Sequence, residues 1–442
     1  MAPDPRLCEK PLYSDSDGRT RDRRLSVLIV GTSFDFPHGG GASSRVYCYA
    51  KGLAASGAEV RIVSLVMPRR GRAADDTAAA GVYEDLRYEY ACGTRVRPTA
   101  FWRRRLLWVR RAARTATLVR QTAGRSPGDC VVLIYSEVSS WILGLAILAR
   151  VVGGSSVLDL CEFPLVWRPR NLRTSIHRTL RTHLACRLTD GIVPISAYLE
   201  DYVRVSSRRP LPMVRVPVMV DLALFADDSA RGEGETPRRV LYCGALSHFD
   251  EVERTLRIFA AAAAGQSDVR LMIVGGGPAA LREKAGSIAD SLGLEQRVEF
   301  VDRLTREDLA ATMLTAEVFV LPRAAGIFSQ AGLPNKLGEY LAVGRPVVVT
   351  ANGDIALYLR DGTDAYLVEP GDDAAFAARL KHALTHRSEA TEVGARGRDV
   401  AITQFDYRLQ GARIRDFLEQ DVLVKRQTLP VRGAGASHQG DH

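Results

Sequence analysis

Residues 317–349 constrain the chain more than any other stretch; they read EVFVLPRAAGIFSQAGLPNKLGEYLAVGRPVVV. The apolar, β-branched run Glu317 to Leu321 predicts a strand buried on both faces, and a Gly- and Pro-punctuated loop follows it. From Asn335 the pattern turns helical, with Leu337, Tyr340 and Leu341 at i, i+3 and i+4 and Gly344 as the stop. Pro346 and Val347 to Val349 then open the next buried strand. Such a unit belongs to a doubly wound parallel sheet. Its loop delivers backbone N–H groups to a helix N-terminus, with Lys336 in the first turn, and that is a site for a phosphate or diphosphate. Glu339 shares the face of Lys336 at i+3. A cation for phosphate beside a carboxylate for sugar hydroxyls is what binding a nucleotide requires.

The remaining chain repeats the βα theme. LSVLIVG, Leu25 to Gly31, predicts a buried strand. It runs into TSFDFPHGGGASSR, whose Gly39, Gly40 and Gly41 permit close backbone approach to a ligand. A helix over Val46 to Ser56 and a strand over Glu59 to Leu65 complete the unit. Further strand cores fall at 131–135, 156–160 and 191–194. After a polar linker at 226–237 a second series begins at 238, with strands at 269–274 and 298–301. A chain of 442 residues accommodates two such domains. The expected division is a lead-in at 1–24, a first domain at 25–225, the linker, a second domain at 238–400, a helix at 401–420 crossing back to the first domain, and a disordered tail at 421–442.

Charge separates the halves. Residues 1–225 carry 34 basic and 20 acidic side chains, and residues 226–442 carry 26 and 31. Within the first half, residues 90–128 hold ten arginines and no acid, and FWRRRLLWVRRAARTATLVR reads as one amphipathic helix. A basic helix bearing aromatic residues suits an anionic membrane surface, here through 95–125, as well as it suits solvent. A second acid-free tract, Phe163 to Thr189, holds six arginines. Nucleic acid is not the expected partner, since no recognised module accompanies the charge. The seven scattered cysteines include no CxxC pair, which fits a reducing compartment. No apolar signal segment is visible at the N-terminus, and serines and Glu137 interrupt the apolar stretch 131–152. The expected location is cytoplasmic, peripheral at the inner face of the membrane if the basic helix docks there. No Cys/His cluster argues for a metal.

The segment PNKLGEYLAVGRPVV resembles the donor-site motif of retaining GT-B glycosyltransferases of the large family 4 type, in the Pro-x-Lys-Leu-x-Glu-Tyr variant. The glycine loop resembles the FPxGGA…R first loop of that group, and the resemblance extends over roughly residues 25–420. It implies two Rossmann-like domains facing across a cleft, and retaining transfer of a sugar from a nucleoside-diphosphate sugar, as co-substrate, to a sugar, lipid-linked or small-molecule acceptor, with no tightly bound cofactor. It implies that Glu339 holds the ribose and that Lys336, with the backbone of Gln330, Gly332, Leu333 and Asn335, holds the diphosphate. Gly39 to Gly41 would lie at the donor–acceptor junction, and Asp302 and Arg303 would border the base. Glu162 and Ser196 would line the acceptor side at strand ends.

Two departures keep other readings open. Where the family commonly places an Arg and a Lys after the first strand of its second domain, this chain has Ala245 and either Phe249 or Asp250. Lys336 with the helix N-terminus, a protonated His248, or loss of catalysis in a partner subunit would each account for that. Gly275-x-Gly277-x-x-Ala280, with Asp302 after the next strand, partly matches a dinucleotide fingerprint and leaves an NAD(P)-dependent oxidoreductase as a further alternative.

Overall fold

The computed structural model describes residues 24–67, 78–94, 100–162, 186–207, 210–226, 238–246 and 249–424. The lead-in, nearly all of the linker, His248 and most of the second arginine tract lie outside the described residues.

The first domain is a seven-stranded sheet in the order β3-β4-β2-β1-β5-β6-β7. Its strands are β1 (Ser26–Gly31), β2 (Glu59–Ser64), β3 (Ala80–Tyr83), β4 (Leu86–Tyr90), β5 (Cys130–Tyr135), β6 (Ser155–Leu160) and β7 (Gly191–Pro194). All pairs are parallel except β3 with β4. Helices α1 (Gly41–Ala55), α2 (Phe101–Arg125), α3 (Ser139–Val151) and α4 (Ala197–Ser206) accompany it. β1, β5 and β6 are buried at every position, which is why they read as continuous apolar runs.

The β3–β4 hairpin was not legible, because its turn carries no glycine. Glu84 and Asp85 take the left-handed conformation instead, with φ of 43° and 66°. The Glu84 carboxylate accepts from Tyr47 Oη at 2.6 Å and Lys51 Nζ at 2.7 Å, which ties the turn to α1.

The second domain is an all-parallel six-stranded sheet in the order β10-β9-β8-β11-β12-β13, reversing direction between β8 and β11. Its strands are β8 (Arg238–Cys243), β9 (Val269–Val274), β10 (Val298–Val301), β11 (Val318–Leu321), β12 (Val347–Thr350) and β13 (Tyr366–Val368). Between and after them run α5 (Phe249–Ala262), α6 (Ala279–Ser291), α7 (Arg306–Leu314), α8 (Ile327–Ala331), α9 (Asn335–Val343), α10 (Ile355–Tyr358), α11 (Asp373–Thr385), α12 (Arg387–Val400) and α13 (Tyr407–Asp416).

After α12 the chain returns to the first domain. Val220 N–H donates to the Phe405 carbonyl at 2.8 Å, and Tyr407 N–H to the Val220 carbonyl at 3.1 Å. α13 then crosses α1 at a glycine–glycine contact. A Cβ on Gly411 would stand 2.3 Å from the carbonyl carbon of Gly52. Gly411→Ala is therefore expected to destabilise by about 1–3 kcal/mol through overpacking, although alanine is the better helix former. Urea denaturation checks this; a rise in midpoint would show that the helices separate freely. The C-terminal helical stretch runs past the expected 420, and the rest of the expected tail, 425–442, lies outside the described residues. Residues 417–423 remain helical, and Phe417, Leu418, Val422 and Leu423 are buried in the first domain's core.

Candidate functional site

Two helix N-termini face each other across the domain boundary. α1 follows β1 through the glycine loop and begins at Gly41, earlier than its apolar periodicity indicates, with Gly40 as N-cap and no side-chain cap. α9 begins at Asn335 behind Pro334, again without a side-chain cap. The first N–H groups of a helix have no partner within it, so each start carries unspent donors and partial positive charge. Asn335 Nδ2 donates to the Gly41 carbonyl at 2.9 Å and joins the two starts.

Packing sets the direction of α9. Leu337, Tyr340 and Leu341 are fully buried, Tyr340 stacks on Phe319 at 4.3 Å between ring centroids, and its hydroxyl accepts from Cys243 N–H at 2.7 Å. Gly344 closes the helix at φ 79°. The opposite face carries Lys336 and Glu339, joined at 2.7 Å, and Ser44 Oγ of α1 donates to the other Glu339 oxygen at 3.2 Å. Burial works against the charge of Lys336, but Glu339 outweighs it and the ammonium pKa is raised. The neighbouring thiols are pushed up by burial, Cys243 to about 11 and Cys48 to about 12, so both stay protonated at neutral pH.

Arg303 reaches the same place from the second domain, after β10. A Cβ on Gly40 would lie 2.7 Å from its Nη2, and one on Gly276 would lie 3.6 Å from its Cβ. The guanidinium therefore stands over the glycine loop, and Gly40 is small because something charged passes there. Arg306, one residue into α7, lies with Cζ 3.7 Å from the centroid of the Tyr47 ring, and its Nε is buried without a hydrogen-bond partner. Sequence reasoning did not single it out; an arginine at a helix start leaves no signal when the ring it covers is 259 positions away on another domain.

Several expected positions land elsewhere. The stretch before α9 is not a loop of unspent donors: residues 327–331 form α8, so Gln330 N–H goes to the Gly326 carbonyl and Gly332 N–H to Phe328, each at 3.0 Å. Gln330 is exposed, and Leu333 is buried. Half-buried Arg323 holds this turn through the carbonyls of Ser329 at 3.3 Å and Gly332 at 3.0 Å. Ser196 does not face an acceptor. It is fully buried as the N-cap of α4, and its hydroxyl donates to the Ala331 carbonyl at 2.6 Å, linking the domains. Glu162 sits at the end of β6 as an exposed residue, yet its carboxyl is shielded and hydrogen-bonded to that of Glu137; burial and that neighbour raise its pKa. Asp302 is exposed and pairs with Arg282. Gly39 packs on Ser43, where a Cβ would meet Oγ at 1.6 Å.

The dinucleotide alternative loses its basis. Gly275 and Gly277 are spent on close packing between strand-end loops: a Cβ on Gly275 would stand 1.8 Å from the Gly244 carbonyl oxygen, and one on Gly277 would stand 2.5 Å from Leu246 Cβ. Among the described residues, no group of three or more His, Cys, Asp or Glu side chains is placed to hold a metal ion.

Residues 237–386 match the family model described as Glycosyl transferases group 1. The match covers about a third of the chain; this segment, termed the group 1 domain for that match, carries β8 to β13 and both Lys336 and Glu339. Over 154 residues the chain is 32% identical to the GDP-mannose-dependent alpha-(1-6)-phosphatidylinositol monomannoside mannosyltransferase of Mycolicibacterium smegmatis, covering 34% of this chain and 40% of that protein. Over 133 residues it is 32% identical to a D-inositol 3-phosphate glycosyltransferase of Mycobacterium sp. (strain KMS), covering 29% of each. The chain thus spans less than half the length of these curated relatives. In three dimensions it is similar to sucrose-phosphate synthase from Thermosynechococcus elongatus, with TM-score 0.71 and 18% identity over 90% of this chain and 99% of that one. It is also similar to HepE from Anabaena in complex with UDP, with TM-score 0.63 and 15% identity over 89% and 100%. With the group 1 domain set beside a second parallel-sheet domain, the fold is GT-B.

Proposed function

We propose that the protein is a retaining glycosyltransferase of the family 4 type, moving a sugar from a nucleoside-diphosphate sugar to an acceptor hydroxyl in polysaccharide, glycolipid or glycosylated-metabolite biosynthesis. The observation that carries this reading is the meeting of two uncapped helix starts, Gly41 and Asn335, beside Lys336 and Glu339. Two such starts concentrate N–H donors and positive potential on one point, as a diphosphate requires. In this reading the bond from the anomeric carbon to the diphosphate oxygen breaks, and the acceptor oxygen bonds to that carbon on the same face. The departing diphosphate takes the acceptor's proton. Lys336, Arg303 and the helix starts stabilise the charge that develops, and Glu339 exchanges Ser44 for the ribose hydroxyls. No side-chain nucleophile is required, and no tightly bound cofactor takes part.

Ala245 removes one cation the family commonly uses, and Arg303 supplies positive charge at the same cleft from the other side of the GGGP loop. The name of the mannosyltransferase relative, which includes phosphatidylinositol, supports a lipid-linked acceptor. The names of the relatives contain both GDP-mannose and UDP, so the base is left to experiment. A partner subunit without catalysis is the second reading, favoured by Ala245 and by the pairing of Glu339 within the protein.

A thermal-shift panel of UDP, GDP, ADP and NAD(P)H decides between them. The cognate nucleoside diphosphate at about 100 times its Kd is expected to add ~2.7 kcal/mol to the wild type, and Glu339→Ala is expected to lose that response. A folded wild type that responds to no nucleoside diphosphate would sink the transferase reading. A response without turnover of any nucleotide sugar would leave the partner subunit.

A further inference from the structure

We propose that the first three turns of α2 are a docking surface for an anionic lipid membrane. Such a surface goes beyond the transferase reading and does not depend on it. At 1.5 Å per residue the 25 residues of α2 extend about 38 Å, whereas the six of β5 beneath it extend about 20 Å. The far half of the helix packs on the sheet: Leu118, Val119 and Ala123 are buried there, and Arg114 pairs with Glu89. At the near end Leu107 and Arg111 turn inward, Arg111 donating to the Leu65 carbonyl at 2.8 Å, and the other large apolar side chains stay outside. Phe101, Trp102, Leu106, Trp108 and Val109 are 56–65% exposed, although side chains of this size ordinarily occupy a core. Trp102, Leu106 and Val109 recur at i, i+4 and i+7 and form one stripe. Arg103 and Arg105 flank it, 5.1 Å and 5.3 Å over the Trp102 and Phe101 rings, and Arg110 is exposed beside it.

Charge complementarity selects the occupant. No acidic residue lies between Tyr90 and Gly128, so a second copy of the face would meet arginine with arginine. A nucleic acid would use the arginines and leave Leu106 and Val109 exposed to water. An anionic bilayer takes both, the arginines at the headgroups and the apolar stripe and rings at the acyl boundary. The position also fits. β4 is parallel to β2 and β2 to β1, so α2 starts at the sheet edge where β1 delivers the glycine loop. A docked membrane would present its surface at the mouth of the cleft.

The test is co-sedimentation of the full chain with vesicles of phosphatidylcholine alone or of phosphatidylcholine with phosphatidylglycerol. Tryptophan emission and oligomeric state are followed in parallel. Binding is expected only with phosphatidylglycerol present, with a blue shift of emission and weakening as salt rises. Each of Arg103→Gln, Arg105→Gln and Arg110→Gln is expected to weaken it about fivefold. Leu106→Ser with Val109→Ser is expected to abolish the partition and leave the thermal midpoint unchanged, because both side chains are exposed. Equal binding to both vesicles, or to neither, would overturn the proposal. So would a dimer that dissociates in the serine variant, or arginine-dependent binding of DNA in place of vesicles.

Discussion

Arg45→Ala is expected to lower the midpoint of thermal unfolding by on the order of 10 °C, a larger loss of stability than that expected of Gly411→Ala. Arg45 is fully buried in α1, where its guanidinium donates to Asp159 at 2.9 Å and 3.3 Å, to the carbonyls of Pro217 at 2.7 Å and Val216 at 3.1 Å, and to Tyr49 at 2.8 Å. Burial opposes its charge, and Asp159 and Tyr49 overcompensate, so its pKa rises. Truncation strands the Asp159 carboxylate inside the domain, and breaking such a pair costs about 3–5 kcal/mol. Lysine cannot reproduce a fork that serves four partners, so Arg45→Lys is expected to recover little. Calorimetry of Arg45→Ala, Asp159→Ala and the double variant checks this. The double variant should be more stable than Arg45→Ala alone; strict additivity would mean that the two side chains do not act as a pair.

Lys336→Ala is expected to lower kcat by about a hundredfold or more once the donor is known, in the range found when one preorganised donor to a developing oxyanion is removed. The nucleoside diphosphate should still bind, because the N–H groups at Gly41 and Asn335 are backbone and survive the change. Steady-state kinetics beside equilibrium binding separates the two effects. A rise in KM with kcat unchanged would mean that Lys336 serves the ground state alone.

The fold was legible because parallel strands buried on both faces spell themselves out, as in LSVLIV and CVVLIY, and because Gly344 and Pro346 punctuate the one helix that matters most. The donor-site helix was legible for the same reason, since Leu337, Tyr340 and Leu341 fix which way Lys336 and Glu339 point. What stayed hidden depends on distance along the chain. Ser196 resembled a ligand residue at a strand end until its partner, the Ala331 carbonyl, came to lie 2.6 Å away. Arg303 resembled a border to the base, yet it reaches across the cleft to Gly40. Short helices also escape a periodicity argument: α8 has five residues, too few to show a repeat. The Glu84–Asp85 turn escaped because its strain is supported by Tyr47 and Lys51, and not by glycine.

The return of α13 has a consequence for biosynthesis. Tyr407, Ile414, Phe417 and Leu418 complete the apolar core of the domain whose strands leave the ribosome first. At ~5–20 residues per second the whole group 1 domain takes on the order of ten seconds or longer to follow. During that interval the first domain presents an unsealed face along α1, centred on Gly52. The second domain can close around β8 to β13 while the first still waits, so synthesis order and completion order are reversed. A nascent chain halted before residue 401 should expose the α1 face to chaperones and proteases, and one halted beyond residue 423, with its end clear of the ribosome, should not.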